Sequence, residues 1–397
     1  MKIKCFKDDI IDGLQKAAGI IPSKTGAAYL RTIWIKAEDA AVTIYATDTS
    51  LEFTGKYTAE VLAPGLAGVQ GKAFVDLVRK LPAGPLQLSL DSEGKTLSIE
   101  QGSRKYKLPT NDAQWFQNYT PYPAEGSVPW AGDFLQELLD RVAFCISDED
   151  TMEAIACLCL KKAPQAPAQA ADAEPEQVVE ICGLNGHQFA MVRFRNDDIY
   201  SLIPDEGLLL HRKYVQELRK WLAADAFELA IEDRRLFCES GDGSETFSMP
   251  IASYQYPDYY NFLSRLTGDN TSRLTVNRQD LAESLDRLSI FNTETNRCAF
   301  FHFNGERDLT LTAQGQEIGS ATEQLEVSFQ GELKKIAFPT KGLLEILSHF
   351  TSKELTFTLT GAEGPCGVTG ADDAEYTVII MPMKIVEETY YSEEEVR

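Results

Sequence analysis

The sequence predicts an α+β fold made of three copies of one domain plan, each with two helices and antiparallel sheets. The first observation is a repeat in which a lysine opens a helix-like segment at Lys72, at Lys213 and at Lys341. In each copy a short alternating strand begins 14 positions later, reading LQLSL, FELAI and LTFTL. A repeated unit of this kind indicates tandem domains built on one plan.

A second matched strand precedes each of these helices. It reads VTIYATD from Val42, VEICGLN from Val179 and LTLTAQG from Leu309. Alternating strands separated by turn signals such as Asp91–Gly94 predict antiparallel hairpins, and helices placed among them favour the α+β class. A sheet with helices on one face keeps its other face free for solvent or a partner.

Amphipathic helices are predicted from apolar residues that recur three or four positions apart. Phe74, Leu77, Val78 and Leu81 show this spacing in the second helix. The six predicted helices are about Phe6–Ile20, Gly71–Leu81, Trp130–Ile146, His211–Leu222, Asn277–Phe291 and Thr340–Phe350. Each domain therefore receives two helices.

Joints rich in proline and glycine divide the chain. Residues 1–125 form the first predicted domain, 126–264 the second and 265–385 the third, followed by an acidic tail at 386–397. The second domain carries an Ala/Pro/Gln-rich insertion at 162–178 without periodicity, which is typical of a flexible surface segment. The tail is expected to be disordered because acidic residues dominate it.

The net charge of −22 argues against a surface that grips nucleic acid. The charge is unevenly distributed, since the six predicted helices together are nearly neutral while the remainder is acidic. The second helices of the first two repeats are basic and carry Lys72, Arg79, Lys80, Arg212, Lys213, Arg219 and Lys220. A basic run is usually just a solvated helix face, but this segregation would line one concave surface with a less negative potential.

The sequence favours a cytoplasmic protein without a membrane segment. No stretch approaches the roughly 18 apolar residues that a spanning helix needs. The opening MKIKCFKDDIIDG lacks the apolar core of a signal peptide. The eight cysteines lie mostly within apolar strand or helix patterns, so we expect buried, reduced thiols.

Patterns that would indicate a nucleotide or metal site fail on inspection. Gly65–Lys72 is rich in glycine, but Leu66 and Ala73 stand where a phosphate-binding loop needs a glycine and a hydroxyl. Cys157 and Cys159 share a strand face, yet no second pair completes a zinc site. The four histidines show no ligand spacing. We therefore expect neither a cofactor nor a metal.

A catalytic acid at Asp48 is also disfavoured. Its counterparts in the repeat are Asn185 and Gly315, which cannot act as acids, so a turn-capping role is the better interpretation. No nucleophile motif is present. With no catalytic residue indicated, the sequence favours a non-enzyme. An enzyme with an unrecognised site stays a distant alternative that would need clustered titratable groups in a cleft.

Several short elements occur in an informative order and spacing. Besides the threefold repeat, they are Met1–Ile3 before a helix, Ala46–Asp48, Lys80–Pro82 before the LQLSL strand, Asn185–His187, Tyr256–Tyr259 and Met381–Ile385. In this order they resemble the bacterial DNA polymerase III beta subunit family, the replicative sliding clamps. The resemblance covers residues 1 to about 385.

The resemblance implies three clamp domains per chain and a homodimer that closes a six-domain ring around duplex DNA. Such a ring catalyses nothing. It confers processivity on the replicative polymerase and holds DNA topologically, without sequence preference. The clamp loader, the polymerase catalytic subunit and repair proteins would bind through linear peptides. An acidic body is compatible with this role, because a topological link needs few phosphate contacts.

The resemblance places a peptide-binding cleft between the second and third domains. Its implied lining is Ile155, Leu184, Gly186, His187, Gln188, Phe189, Pro257, Asn261, Phe262, Ile379, Ile380, Met381, Pro382 and Met383. Gln188 and the pair Tyr260 and Asn261 stand where the family often has arginines. This predicts a rim that has lost positive charge and relies on apolar anchors. Without the resemblance, these residues would be interpreted as interdomain core.

The resemblance also implies a DNA-facing set and a ring interface. The DNA-facing residues are Lys24, Lys72, Arg79, Lys80, Arg212, Lys213, Arg219 and Lys220. The interface would join Tyr106 and Leu108 of one chain to Ile290 and Phe291 of the other. This contact would cover an edge strand that carries apolar residues. A ring- or arc-shaped scaffold that binds protein motifs but not DNA is the alternative, and loading onto circular DNA distinguishes the two.

Overall fold

The computed structural model describes residues 1–22, 27–149, 151–164, 176–223, 225–268, 270–293, 296–315 and 318–385. Lys24, most of the predicted insertion and the acidic tail lie outside the described residues. The chain packs as two compact units. The first unit comprises Met1–Leu139, Leu160–Val179 and Arg195–Ser253, and the second comprises Asp140–Cys159, Glu180–Phe194 and Tyr254–Arg397. The three-domain division stays a prediction.

The first repeat contains the two predicted helices and a series of short strands. Its elements are β1 Lys2–Phe6, α1 Lys7–Ile20, β2 Thr32–Glu38, β3 Ala41–Thr47, β4 Glu52–Thr58, β5 Glu60–Ala63, β6 Gly65–Gln70, α2 Gly71–Lys80, β7 Pro85–Leu90, β8 Thr96–Gln101 and β9 Arg104–Asn111. Short 3₁₀ turns lie at Ala28–Arg31 and Ala113–Trp115. Both helices begin and end within one residue of their predicted bounds.

The second repeat follows the same order with added elements. These are β10 Val128–Ala131, α3 Gly132–Val142, β11 Cys157–Lys162, β12 Val178–Leu184, β13 Gln188–Arg195, α4 Asp197–Leu202, β14 Leu208–His211, α5 Arg212–Trp221, β15 Ala226–Glu232, β16 Arg235–Ser240 and β17 Glu245–Pro250. The helix predicted over Trp130–Ile146 is shorter, because it ends at Val142 and a 3₁₀ turn follows at Ala143–Cys145.

The third repeat completes the chain. Its elements are α6 Tyr260–Leu263, β18 Ser272–Asn277, α7 Arg278–Ser289, β19 Cys298–Phe303, β20 Asp308–Gly315, β21 Gly319–Glu326, β22 Ser328–Gln330, β23 Lys335–Pro339, α8 Thr340–Ser348, β24 Glu354–Leu359, β25 Cys366–Gly370 and β26 Tyr376–Ile380. A 3₁₀ turn at Ser264–Thr267 extends α6. The strands predicted by the repeat are confirmed in all three copies.

A continuous antiparallel sheet forms the frame of the first unit. Its strands follow the order β10-β15-β16-β17-β4-β3-β2-β6-β9-β8-β7-β1-β5. Strands β4 and β17 join the sheets of the first and second repeats, and Phe53 lies opposite Phe247 across that junction. Helices α1 and α2 pack against each other, with Phe74, Val75 and Val78 of α2 buried. Apolar residues on one helix face therefore form the core over the sheet.

The strands of the third repeat lie in two antiparallel sheets, one of which also contains β13 of the second repeat. In the second unit, strands follow the order β13-β26-β25-β24-β18-β22, and a separate sheet has the order β21-β20-β19-β23. Helices α7 and α8 pack against each other. Leu281, Leu285 and Leu288 of α7 are fully buried, as the predicted periodicity requires.

Side-chain caps fix where several helices begin. The Gln70 side chain accepts a hydrogen bond from the Ala73 N–H at 2.7 Å at the start of α2. Asn277 Oδ1 accepts from the Gln279 and Asp280 N–H groups at the start of α7. These acceptors satisfy N–H groups that have no partner within the helix, which explains why the boundaries were predictable.

The predictions for the cysteines and for Asp48 are confirmed. All eight cysteines are free and buried. Burial raises the pKa of Cys157 to about 11, so its thiol stays protonated at neutral pH. Asp48 Oδ1 accepts from the N–H groups of Ser50 and Leu51 at 2.9 and 2.7 Å, which is a turn-capping role.

Candidate peptide-binding groove and associated surfaces

A groove of about 250 Å³ lies in the second unit, where the ends of β12, β13 and β26 meet α6. Its lining residues are Leu184, Gly186, His187, Gln188, Phe189, Asn261, Phe262, Arg265, Pro365, Ile379 and Met381. Segments that are far apart in the sequence therefore converge on one apolar depression with a few polar groups, which is the usual composition of a binding pocket.

The register of β13 and β26 holds one side of the groove in place. Phe189 lies opposite Ile379, and the Met381 N–H donates to the His187 carbonyl at 2.9 Å. Asn185 Oδ1 caps the adjoining turn by accepting from the N–H of His187 at 3.0 Å. Gly186 has a φ of +85°, a left-handed conformation that glycine adopts without strain. The Asn-Gly-His element therefore forms a tight turn that reverses the chain beside the groove.

Aromatic rings form the groove wall. Phe189 is 1% exposed, and its ring centroid lies 5.4 Å from that of Phe262 in an edge-to-face arrangement. On its other side, Phe189 contacts Tyr259 with ring centroids 4.8 Å apart. Met381 is 37% exposed, and its flexible side chain can adapt to different apolar ligands. The groove thus combines a rigid wall with an adaptable rim.

A buried carboxylate supports this aromatic wall. Glu180 is fully buried, and Arg193 Nε donates to its Oε1 at 2.9 Å. The hydroxyl of Tyr259 donates to Glu180 Oε2 at 2.5 Å, and the hydroxyl of Tyr260 donates to the same oxygen. Burial, assisted by the neighbouring Glu180 charge, raises the pKa of both tyrosines, so both stay protonated as donors. The Glu180 cluster therefore fixes Tyr259 behind Phe189.

Gln188 and Arg265 change the expected electrostatics of the groove. Gln188 is 8% exposed, and its Nε2 donates to the Gly342 carbonyl at 3.3 Å, so its amide is engaged within the protein. Arg265 is exposed and lines the groove. The Arg265 guanidinium therefore brings to the groove a positive charge that the sequence analysis did not include, and the weaker electrostatics predicted from Gln188, Tyr260 and Asn261 stay a prediction.

The other predicted cleft residues are not among those that line the groove. Ile155 and Ile380 are buried in the core, at 3% and 0% exposed. Met383 is 43% exposed, and its N–H donates to the Ala337 carbonyl at 2.8 Å. Neither Pro257 nor Pro382 is among the lining residues. Their part in binding stays a prediction.

The basic helices α2 and α5 belong to the first unit and are less positive than their sequence suggests. Arg79 pairs with Asp76 at 3.1 Å, and Lys220 pairs with Glu217 at 2.7 Å. Such exposed pairs contribute little to stability but reduce the local positive potential. Lys72, Lys80 and Arg219 are exposed and Arg212 is partly exposed.

Lys213 has a partner that the sequence did not indicate. Its Nζ pairs with the Asp48 carboxylate, which is itself 5% exposed. The two residues come from different repeats, so this ion pair connects the first and second repeats within the first unit. Because its ammonium group is already paired, Lys213 is less available to contact a phosphate of a bound nucleic acid.

The residues of the predicted ring interface lie on two partly exposed surfaces. Strand β9 pairs with β8 from Arg104 to Pro109 but pairs with β6 only at Thr110 and Asn111. Within the described chain, one backbone edge beside Tyr106 and Leu108 therefore has no strand partner, and both side chains are partly exposed. In the second unit, Ile290 is 66% exposed and Phe291 partly exposed at the end of α7.

Comparison with protein families identifies both ends of the chain. Residues 1–120 match the N-terminal domain of the DNA polymerase III beta subunit, and residues 266–384 match its C-terminal domain. Together the two matches span more than half of the chain. The chain belongs to the DNA polymerase III beta subunit family.

Individual members of this family align along almost the whole chain. A beta sliding clamp of Caulobacter vibrioides is 23% identical over 388 residues, which covers 97% of this chain and 100% of that protein. A beta sliding clamp of Pseudomonas aeruginosa is 23% identical over 384 residues, covering 96% and 98%. The chain therefore spans all or nearly all of the length of these relatives.

Solved sliding clamps share the fold. A clamp from Caulobacter crescentus superposes with a TM-score of 0.86 at 22% identity, covering 97% of this chain and 100% of the other. A clamp from Bartonella birtlesii, solved with griselimycin bound, has a TM-score of 0.85 at 24% identity with the same coverage. The predicted α+β class with antiparallel sheets is confirmed.

The described part of the chain shows neither a metal-binding cluster nor a membrane-spanning helix. It contains no group of three or more His, Cys, Asp or Glu side chains that could hold a metal ion. None of its helices is long and apolar enough to cross a membrane.

Sequence reasoning missed two groove residues and the cluster behind them. Arg265 lies four positions after Asn261, and α6 with its 3₁₀ extension brings both to the groove, so helical spacing could have indicated it. Pro365 lies just before β25, where no local pattern signals proximity to the groove. Glu180 sits in an apolar strand, and a charged residue in such a run is itself a signal of a buried partner.

Proposed function

We propose that this chain is a sliding clamp that closes a ring with a second copy of itself around duplex DNA. It catalyses no reaction. It confers processivity on the replicative polymerase, and it works on DNA in the cytoplasm. The observation that carries the proposal is the match of both chain ends to the DNA polymerase III beta subunit, combined with one clamp fold along 97% of the chain.

The ring would be built from three domains per chain, with boundaries at 1–125, 126–264 and 265–385. DNA would pass through the ring, along the helices that line its central hole. The residues proposed to face the DNA are Lys24, Lys72, Arg79, Lys80, Arg212, Lys213, Arg219 and Lys220. Because ion pairs already neutralise several of these charges, direct phosphate contacts are few and a shallow salt dependence is expected. Weak contacts of this kind favour sliding.

The interface would bring Tyr106 and Leu108 of one copy against Ile290 and Phe291 of the other. Two exposed apolar surfaces support this assignment, since exposed apolar residues beside an unpaired strand edge otherwise promote aggregation. In a head-to-tail contact, two different surfaces of neighbouring copies meet. Such contacts close a ring when the rotations between successive copies add up to a full turn.

Light scattering tests this interface. The chain is expected at twice its 44.1 kDa mass, and the double variant Ile290→Asp with Phe291→Asp is expected at 44.1 kDa. Leu62→Asp is the control, because Leu62 is also exposed but lies on β5, at the edge of the sheet and separated from β9 by three strands. If the double variant kept the mass of the dimer, the proposed interface would be ruled out.

The groove of the second unit would bind short linear peptides from the polymerase, the clamp loader and repair proteins. A Leu or Phe anchor gains about 1.5–3 kcal/mol from burial against Phe189 and Phe262. After the cost of ordering the peptide, a net free energy of about −8 kcal/mol is reasonable, which corresponds to a micromolar Kd.

Fluorescence anisotropy with a labelled acidic hexapeptide ending in Leu-Phe tests the groove. Phe262→Ala is expected to weaken binding about tenfold or more, because it removes an aromatic wall contact. Ile318→Ala, an exposed apolar residue elsewhere in the second unit, should leave the Kd unchanged. Equal affinities for all three proteins would place peptide binding elsewhere.

A further inference from the structure

The groove of the second unit lies beside the point where the described chain ends. Met381 lines the groove, and Ile385 is the last residue that the structure describes. The Met383 N–H donates to the Ala337 carbonyl at 2.8 Å, so the chain is held to β23 two residues after it leaves the groove. The residues that follow therefore begin only a few positions from the groove lining.

The acidic tail at 386–397 follows directly, and it lies outside the family match, which ends at residue 384. Its sequence is VEETYYSEEEVR, with five glutamates and one arginine. Tyr390 and Tyr391 are adjacent and stand between two groups of glutamates. The tail is therefore an acidic linear segment with neighbouring aromatic anchors, which is the chemistry of the peptides proposed for the groove.

The groove offers surfaces that complement such a segment. Phe262 is partly exposed and Met381 is 37% exposed, so both present apolar surface to a ligand. Arg265 is exposed, and the lining residues of the described chain include neither Asp nor Glu. Asp258 adjoins the other side of the rim, where it accepts from Asn261 Nδ2 at 3.2 Å. The glutamates of the tail are therefore expected beside Arg265, away from Asp258.

The tail is long enough to return to the groove. An extended chain covers about 3.4 Å per residue, so Ile385 lies at most about 14 Å from Met381, four positions earlier. The five residues from Ile385 to Tyr390 span up to about 17 Å. Tyr390 can therefore reach the groove even if the chain first runs straight away from it.

Attachment to the same chain makes even a weak contact effective. A short tether gives a local concentration on the order of millimolar. A tail with a Kd of about 0.2 mM for the groove would then occupy it most of the time. A partner peptide must displace the tail, so its apparent Kd rises roughly fivefold.

The cavity of the first unit is a poor alternative site for the tail. This cavity, of about 370 Å³, lies between α1 and α5. Phe53, Phe247 and Trp221 form its floor and are 0%, 1% and 6% exposed, so no ring face is free for an aromatic anchor. Lys16 and Lys220 each pair with a glutamate already. Neither the tyrosines nor the glutamates of the tail would find a partner there.

We propose that the acidic tail of this chain occupies its own groove, with the tyrosine pair against Phe262 and Met381 and the glutamates beside Arg265. The inference rests on the proposed function of the groove as a peptide site. Partner peptides bind by displacing the tail, which weakens all of them by a common factor. Only peptides with strong anchors then stay bound.

Methyl NMR of the full chain tests the contact without any partner peptide. The six methionines are labelled with ¹³C at the methyl group, and Met381→Leu assigns the Met381 resonance. The double variant Tyr390→Ala with Tyr391→Ala is expected to shift this resonance. Met152, 52% exposed and outside the groove lining, should not respond.

Val396→Ala is the matched control, because it removes an apolar side chain from the tail but keeps the tyrosine pair. It should leave the Met381 resonance where it is in the unchanged chain. A Met381 resonance that is the same with and without the two tyrosines, or that moves equally in the control, would overturn the proposal.

Anisotropy with the labelled acidic hexapeptide measures the competition. A chain that stops after Ile385 and the double tyrosine variant should both bind the hexapeptide with a Kd roughly fivefold lower than the full chain. Val396→Ala should bind like the full chain. A free peptide of residues 386–397, added at millimolar concentration, should displace the hexapeptide from the shortened chain.

The two readouts separate failure of this inference from failure of the proposed function. Equal Kd values for the full and shortened chains would overturn the inference and leave the groove as a peptide site. If the shortened chain did not bind the hexapeptide while Met381 still responded to the tyrosines, peptide binding from partners would be contradicted and the tail contact would stand.

Discussion

The groove of the second unit and the cavity of the first unit are built on different principles. The groove is formed by strand ends and turns, has an exposed methionine and an arginine at its rim, and rests on a buried charged cluster. The cavity is formed by helices α1 and α5 above the packed rings of Phe53, Phe247 and Trp221, and Lys16 and Lys220 each pair with a glutamate beside it. The first construction suits peptides of varied sequence, and the second holds the sheets of the first two repeats together through Phe53 and Phe247.

The two regions also differ in how their stability depends on buried charge. In the second unit, Glu180 and Asp373 are almost completely buried and are surrounded by donors. In the cavity, the buried residues of the floor are apolar. Substitutions that remove a buried carboxylate should therefore damage the groove far more than exposed substitutions of the same type.

The largest expected effect is that of Glu180→Ala. This change leaves Arg193 and the hydroxyls of Tyr259 and Tyr260 without their common acceptor in a buried site. We expect the free energy of unfolding of the second unit to fall by about 3 kcal/mol, because the buried Tyr259 hydroxyl loses its acceptor, while the Arg193 side chain is 38% exposed and stays accessible to solvent. Hydrogen exchange along β13 and β26 measures this loss, and peptide affinity should fall with it.

Glu60→Ala is the control for this comparison. Glu60 also pairs with a basic residue, Lys4, at 3.3 Å, but both side chains are largely exposed. Its loss should cost less than about 1 kcal/mol. Similar losses for the two variants would mean that the Glu180 cluster has no special role beneath the groove.

A smaller and pH-dependent effect is expected for Asp373→Asn. Burial alone would raise the pKa of Asp373, but hydrogen bonds from Ser352 and Thr351 outweigh it and lower the pKa below its ordinary value of 3.8. A lowered folded pKa stabilises the fold above pH 3.8, and this stabilisation is lost as the pH falls through the folded value.

The Asn variant should therefore be less stable by about 2 kcal/mol at neutral pH, with the deficit shrinking as the solution becomes more acidic than pH 3.8. Denaturant unfolding at a series of pH values measures the difference between the two proteins. A deficit that stayed constant into the acid range would show that the charge of Asp373 is not what stabilises this region.

The smallest expected effect is that of Arg265→Ala on peptide binding. Removing this exposed rim charge should weaken an acidic hexapeptide roughly threefold at low salt, and the difference should vanish at high salt. Arg273→Ala is the matched control, since Arg273 is exposed in the same unit but does not line the groove. A salt-independent effect would point to packing by the Arg265 stem rather than to its charge.

The sequence was most informative where local rules operate. The strands after Lys72, Lys213 and Lys341 and the starts of α2 and α7 were predicted to within a few residues from the repeat and from apolar periodicity. The structure adds the side-chain caps at Gln70 and Asn277. The helix after β10 was predicted to extend to Ile146, but the α-helix ends at Val142 and a 3₁₀ turn follows. The prediction was too long because the apolar spacing of the helix continues through that turn.

The candidate site was only partly predictable, because its geometry depends on residues that are distant in the sequence. The turn at Asn185–His187 and the apolar end of β26 were recognised from the family resemblance. The inward orientation of Gln188, the ion pair between Lys213 and Asp48, and the presence of Pro365 depend on how separate strands come together. No local pattern records such contacts.

The central claim, that two copies enclose duplex DNA, is tested most directly with a nicked circular plasmid. The chain is loaded with the clamp loader of the same cell, and retention on DNA is measured by gel filtration before and after the plasmid is cut once. A topological clamp stays with the circle at high salt and is released when the DNA becomes linear. A chain that never stays on the circle, or that stays equally well on cut DNA, would contradict the clamp and favour a scaffold that binds protein motifs alone.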